Sequence, residues 1–172
     1  MPQEPHPDEL PASIPGPLTP GQLKSLYPYQ FAGPGVRWFS FARGLMPVIE
    51  TMCHEVDALL RGRLDRYSFE WLDFKQKFGV GRFYYRLTVL SDPDRNSEDS
   101  DETKYLRARL LDIVFRAEER TASLCEFCGQ PGEMVAETAW RATLCPEHAA
   151  MHRRREPLYC SLADDGSALK LP

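Results

Sequence analysis

The sequence predicts an α+β fold: helices packed on a β-hairpin or small antiparallel sheet, ending in a compact module built around cysteine and histidine. Three observations carry this. Apolar residues recur at three- and four-residue spacing over residues 37–61, and again from Tyr105 to Val114, which is the period of a helix. Between them the period drops to two, with Phe69, Trp71 and Asp73 and then Phe83, Tyr85, Leu87 and Val89, as in strands with one buried face. Near the end, two short cysteine/histidine pairs stand sixteen residues apart.

The elements follow in chain order. Residues 1–35 carry nine prolines, which remove backbone donors and block regular structure, so this stretch reads as an extended arm. Within it Thr19 and Pro20 suit the cap and first position of a short helix. Leu23, Leu26, Tyr27, Tyr29 and Phe31 are apolar anchors that either dock the arm on the body or engage a partner protein. Residues 1–15 also fit a disordered tail. Residues 36–122 form the core. Its first helix breaks near Gly44 and Pro47, then runs from Pro47 to Leu60 and ends at Gly62. The hairpin of residues 67–90 turns through Phe78-Gly79-Val80-Gly81, with Gly79 or Gly81 expected at positive φ. Residues 91–104 read as an acidic solvated loop, followed by a helix to about Thr121. Residues 123–158 form the cysteine/histidine module. Residues 159–172 form a tail, loose over residues 163–167.

Bulk properties narrow the function classes. A chain of 172 residues is enough for one domain or one and a half. Its 21 basic and 25 acidic residues leave a net charge of −4, which argues against a general nucleic-acid binder. No apolar run approaches the ~20 residues that span a bilayer. The polar, acidic start lacks the apolar stretch of a secretion signal. Five cysteines, four of them in one motif, suit a reducing cytoplasm.

That motif reads Cys125-Glu-Phe-Cys128, then Cys145-Pro-Glu-His148 after the sixteen-residue interval. Paired ligands two residues apart, joined by a hairpin, are what tetrahedral Zn²⁺ requires. All four positions are filled, so the expectation is one structural Zn²⁺ per chain in a zinc-ribbon or treble-clef-like module, with no position open for catalytic water. A redox Cys-x-x-Cys would open a helix, whereas Gly129-Gln-Pro131-Gly132 is turn chemistry. Spacing favours His148 as the fourth ligand, on the first turn of a helix opened by Pro146. His152 and Cys160 are the alternatives.

Three stretches together carry a resemblance, the first being a helical start that bears tryptophan or phenylalanine. The middle one is Lys75-Gln-Lys77-Phe78-Gly79-Val-Gly81-Arg82-Phe83-Tyr84. The terminal one is Cys125-Glu-Phe-Cys128-Gly129-Gln-Pro131-Gly132 with Trp140-Arg-Ala-Thr143-Leu144-Cys145-Pro-Glu-His148. Over roughly residues 37–150 the chain resembles a family of small uncharacterised bacterial and phage proteins. They have a Lys-Glu-Lys-Phe-Gly-Gly-Leu-Arg-Phe-Tyr-like segment and a terminal Cys-x-x-Cys-Gly-x-Pro-Gly…Trp-x-x-Thr-Leu-Cys-x-x-His motif. The resemblance implies a zinc-containing α+β domain with Cys125, Cys128, Cys145 and His148 as ligands, and it carries no activity. Its setting implies a defence-system protein, a toxin or a host regulator as the partner.

Other residues weigh against catalysis. Cys53 and His54 are neighbours on a helix and point about 100° apart, so they cannot form a dyad. With His148 committed to the metal, an HNH-type nuclease lacks its further histidines. Lys75, Lys77, Arg82 and Arg86 surround the aromatic hairpin, and Arg153-Arg154-Arg155 follows the last ligand. These are candidates for nucleic acid, although an amphipathic hairpin shows the same pattern. The reading is a non-enzymatic, zinc-stabilised protein-binding protein, such as a regulator, immunity or anti-defence factor. Nucleic-acid binding through the hairpin and the triple arginine is the alternative.

Overall fold

A computed structural model describes residues 17–35, 39–90, 100–136 and 141–169. The arm residues 1–16, the acidic residues 91–99 and Trp140 lie outside them. The described elements are α1 (Pro20–Leu26), α2 (Met46–Leu60), β1 (Tyr67–Lys77), β2 (Val80–Val89), α3 (Asp101–Thr121), β3 (Glu133–Val135), β4 (Ala142–Leu144) and α4 (Pro146–Arg153). β1 and β2 form one antiparallel hairpin, and β3 and β4 a second, smaller one. The α+β class is as the sequence predicts.

α3 packs against both α2 and β2, so the hairpin is covered on one face. Tyr67, Phe69 and Trp71 point into that core, and then the phase slips: Trp71 pairs with Tyr85 but Asp73 with Tyr84, leaving Leu72 as a bulge. The extra residue returns Phe74 to the buried face three positions after Trp71. Phe74 stacks on Phe39 with ring centroids 4.7 Å apart and meets Phe83 edge-on at 5.1 Å. The opposite face carries Tyr84 and Arg86 to solvent.

The connection is shorter than the four residues expected. Lys77 pairs with Val80, and only Phe78 and Gly79 form the loop, at φ 55° and 77°. Two successive positive φ values match a primed two-residue turn, whose twist suits the flanking strands. Gly81 lies within β2, where a Cβ would stand 3.1 Å from Phe83 and Thr121.

The described part of the arm, residues 17–35, is built into the core. Thr19 caps α1, its hydroxyl accepting from the Gln22 amide while the Gln22 side chain accepts from the Thr19 amide. Leu23 is fully buried and Phe31 nearly so, which takes both out of any surface offered to a partner. Tyr27 and Tyr29 are partly buried against the same cluster, and Leu26 alone of the five is largely exposed. Gln30 explains the tight docking. Its side-chain amide donates to the Cys53 carbonyl at 2.9 Å, and its oxygen accepts from the Trp71 indole at 3.0 Å. A buried amide with both ends satisfied fixes arm, helix and hairpin to one another.

The tail, expected to be loose over residues 163–167, is tied down. Leu162 is buried and its amide donates to the Phe41 carbonyl, while Gly21 donates to the Asp164 carbonyl and Lys24 pairs with Asp164. α3 also starts earlier than its apolar stripe suggests. Ser100 caps it through the Thr103 amide, with Asp101 and Glu102 in the first turn favouring the positive end of the helix dipole.

Candidate metal centre

Cys125 and Cys128 sit in a knuckle that immediately follows α3. The Gly129 amide donates to the Cys125 carbonyl at 2.8 Å, and Gly129 adopts φ 74°, a conformation that suits glycine. The chain then runs through Pro131 and Gly132 into the β3–β4 hairpin, which returns it to Cys145. Cys145 is the N-cap of α4, Pro146 takes the first helical position and His148 falls in the first turn. Two local motifs, a knuckle and a helix start, thus deliver two ligands each.

The four ligand atoms lie within 4.8 Å of one another, and the group could hold a metal ion. The Sγ atoms of Cys128 and Cys145 are 3.8 Å apart, and Nδ1 of His148 lies 3.5 Å from Cys125 Sγ and 3.1 Å from Cys145 Sγ. All five cysteines are free thiols. Cys125, Cys145 and His148 are buried while Cys128 faces solvent. Burial raises the cost of a charged Cys145, but amides of His148 and Glu147 at the helix start and the neighbouring cysteine thiols outweigh it, and its pKa falls below the ordinary thiol range. His152 and Cys160 stand outside the four-residue group. They line a small cavity of about 20 Å³ with Glu126, Phe127 and Leu158.

The knuckle is seated on the core at Gly44, in the 3₁₀ turn before α2. Gly44 donates to the Glu126 carbonyl at 2.8 Å. A Cβ on Gly44 would lie 2.0 Å from the Cys125 carbonyl oxygen and 2.5 Å from the Gly129 nitrogen, so only glycine permits the approach. The hairpin supplies a second contact: the Thr143 hydroxyl donates to the Gly79 carbonyl at 2.6 Å. Glu126, almost fully buried, supplies a third. Its carboxylate accepts from the Thr143 amide and from the Gln76 side chain. Burial pushes its pKa up to about 7 against those hydrogen bonds. Gly44 reads as a helix break in the sequence, and the Glu inside Cys-x-x-Cys draws no notice. Their roles depend on a contact between segments about 80 residues apart.

Lys75 and Arg82 are cross-strand partners on the hairpin face that also carries Arg86, but most of the basic candidates are paired with carboxylates. Lys75 pairs with Asp73, Arg82 with Glu118, Arg86 with Glu70 and Arg154 with Glu156. Lys77 lies over the Phe78 ring. Arg153 ends α4, and Arg155 follows at φ 59°. Cys53 is buried in the core and His54 is exposed, its ring 3.4 Å from the Tyr27 hydroxyl. No helix among the described residues is long and apolar enough to cross a membrane. Comparison with protein-family models, curated proteins and solved structures returns no match.

Proposed function

We propose that Cys125, Cys128, Cys145 and His148 hold one structural Zn²⁺, and that the protein is a non-enzymatic, zinc-stapled protein-binding protein. The donor chemistry supports the ion. Three thiolates and an imidazole are a soft set that suits zinc. Bond lengths of about 2.3 Å to sulfur and about 2.0–2.1 Å to nitrogen give tetrahedral edges of roughly 3.8 Å between sulfurs and roughly 3.5 Å between sulfur and nitrogen. The 3.8 Å Cys128–Cys145 and 3.5 Å Cys125–His148 separations fit those edges, while the 3.1 Å between Cys145 and His148 is about 0.4 Å short and would open on binding. Four protein donors leave no position for substrate or water, so the ion's work is to hold the knuckle against α4.

One observation carries the binding role: the module turns to solvent a groove lined mostly by apolar side chains, with one acid, Glu133, and one base, Arg153, among them. The groove has a volume of about 500 Å³, and its lining includes Pro131, Met134, Val135, Leu144, Pro146 and Ala149. Met134 is more than half exposed at its rim. Apolar concavities with few charges favour protein side chains over phosphates. The pairing of Lys75, Arg82, Arg86 and Arg154 with carboxylates weakens the case for nucleic acid, whose binding relies on available positive charge. The sequence resemblance adds a bacterial or phage setting, in which a defence-system protein, a toxin or a host regulator is a partner of the right kind.

The test is affinity capture with the tagged, zinc-loaded protein beside a Met134→Glu variant. A stoichiometric protein that binds the first and not the second supports the reading. Retention of nucleic acid, lost in high salt and on replacing Arg153, Arg154 and Arg155 with Ala, contradicts it.

A further inference from the structure

α3 has a second apolar stripe that the core does not use. Its buried side, centred on Leu106, Leu110 and Ile113, faces α2 and the hairpin. On the far side Leu111 is 64% exposed, Phe115 57% and Tyr105 53%, with Ala108 also exposed. At 100° per residue, Lys104, Ala108, Leu111, Phe115 and Glu119 fall within an arc of about 80°. They form a continuous apolar stripe with a cation at one end and an anion at the other. Among the described residues Lys104 and Glu119 make no ion pair, whereas Asp112, beside the stripe, pairs with Arg109 and Arg116.

The order along this stripe is self-complementary. Lys104 and Glu119 are centred on the point between residues 111 and 112, and so are Ala108 and Phe115. A second copy of α3 laid antiparallel across a twofold axis at that point would bring Lys104 against Glu119 of the copy at both ends. The same operation sets the small Ala108 opposite the large Phe115, giving each ring a recess, and sets Leu111 opposite position 112 of the copy, so that the two Leu111 side chains flank the twofold axis about 1.5 Å apart along the helix. Lys104 and Glu119 are about 22 Å apart along the helix, at 1.5 Å per residue, so the end contacts flank the apolar centre. An isologous interface needs this correspondence of each residue with its partner's counterpart.

We propose that the protein forms a homodimer through antiparallel pairing of α3, with Leu111 and Phe115 at its centre and Lys104–Glu119 pairs at its rim. The face of one helix is a small interface, so the dissociation constant is expected to be on the order of 10 μM. This interface is separate from the metal centre and from the groove on the C-terminal module.

Sedimentation equilibrium of the full-length, zinc-loaded chain tests it. The wild-type chain should shift from monomer to dimer across the micromolar range. Leu111→Asp should weaken the dimer at least about 100-fold by burying an unpaired charge at its centre. Lys104→Glu and Glu119→Lys should each weaken it about tenfold, since each reverses two rim pairs per dimer. The double variant should restore it. Far-UV circular dichroism checks that each variant folds, and the charge swaps decide the matter should Leu111→Asp not fold. A chain that stays monomeric up to about 300 μM, or a dimer indifferent to Leu111→Asp, overturns the proposal. A dimer that the double charge swap fails to restore overturns the antiparallel register.

Discussion

Replacing Gly44 with alanine puts the seat of the C-terminal module to a sharp test. On a free 3₁₀ or helical segment this change stabilises by up to about 1 kcal/mol, because alanine loses less backbone entropy on folding. Here the new Cβ would sit 2.0 Å from the Cys125 carbonyl oxygen, 2.5 Å from the Gly129 nitrogen and 2.8 Å from the Glu126 carbonyl carbon. All three are backbone atoms of the knuckle, held by its own hydrogen bonds and by the ligands. None can rotate aside as a side-chain tip would. Relief therefore requires the knuckle to withdraw from the core by more than an ångström. That movement breaks the 2.8 Å bond from the Gly44 amide to the Glu126 carbonyl, at about 1 kcal/mol. The overpacking itself typically costs about 1–3 kcal/mol. The expected loss is roughly 2–4 kcal/mol, which for a chain of this size lowers Tm by roughly 5–15 °C. Urea denaturation of metal-loaded wild type and Gly44→Ala measures it. A neutral or stabilising result would refute the argument that the knuckle is clamped directly on this turn.

Other perturbations probe neighbouring contacts. Gly79→Val forces a β-branched residue to φ 77° and places its Cβ 2.9 Å from the Thr143 hydroxyl, so thermal melts should show a loss of at least about 2 kcal/mol. Gln30→Ala removes the acceptor of the Trp71 indole and the donor to the Cys53 carbonyl. A loss of about 2–4 kcal/mol is expected from the orphaned buried groups and the space left behind, and a change below 0.5 kcal/mol would mean that the arm is not part of the core. Glu126→Gln keeps an acceptor for Thr143 and Gln76 but removes a carboxyl whose folded pKa, about 7, exceeds its ordinary 4.5. Such a group opposes folding as pH rises from about 4.5 to about 7, while the unfolded chain releases its proton and the folded chain does not. The variant should therefore gain stability over wild type between pH 5.5 and 8, by up to roughly 3 kcal/mol. A gain that shrinks with rising pH has the wrong sign for this account.

What the sequence made legible was mostly local. Thr19, Pro20 and Gln22 announce α1 because capping needs only neighbours. The four candidate ligands were legible because each pair comes from a motif a few residues long. The alternation of aromatic residues exposes the hairpin, but its bulge at Leu72 shows only as the three-residue step from Trp71 to Phe74. The loop was read two residues too long because Gly81, like Gly79, looks like turn chemistry. Its true reason is the close approach of Thr121 on α3. Gly44, Gln30 and Glu126 act through contacts between distant segments, which no spacing records. The arm's Leu23 and Phe31 are apolar anchors, as the sequence suggests, yet composition alone does not say whether an anchor serves its own core or another protein. The fold places both in the core.

The central claim is that Cys125, Cys128, Cys145 and His148 bind one Zn²⁺ and that this binding is coupled to folding of the module. Metal analysis together with X-ray absorption at the zinc edge on the purified protein tests it most directly. The account predicts one zinc per chain, with three sulfur neighbours at about 2.3 Å and one nitrogen at about 2.0–2.1 Å, and loss of the metal in Cys128→Ser with destabilisation of the chain. Protein that is folded without stoichiometric zinc, or that carries a disulfide between Cys125 and Cys128, would contradict it.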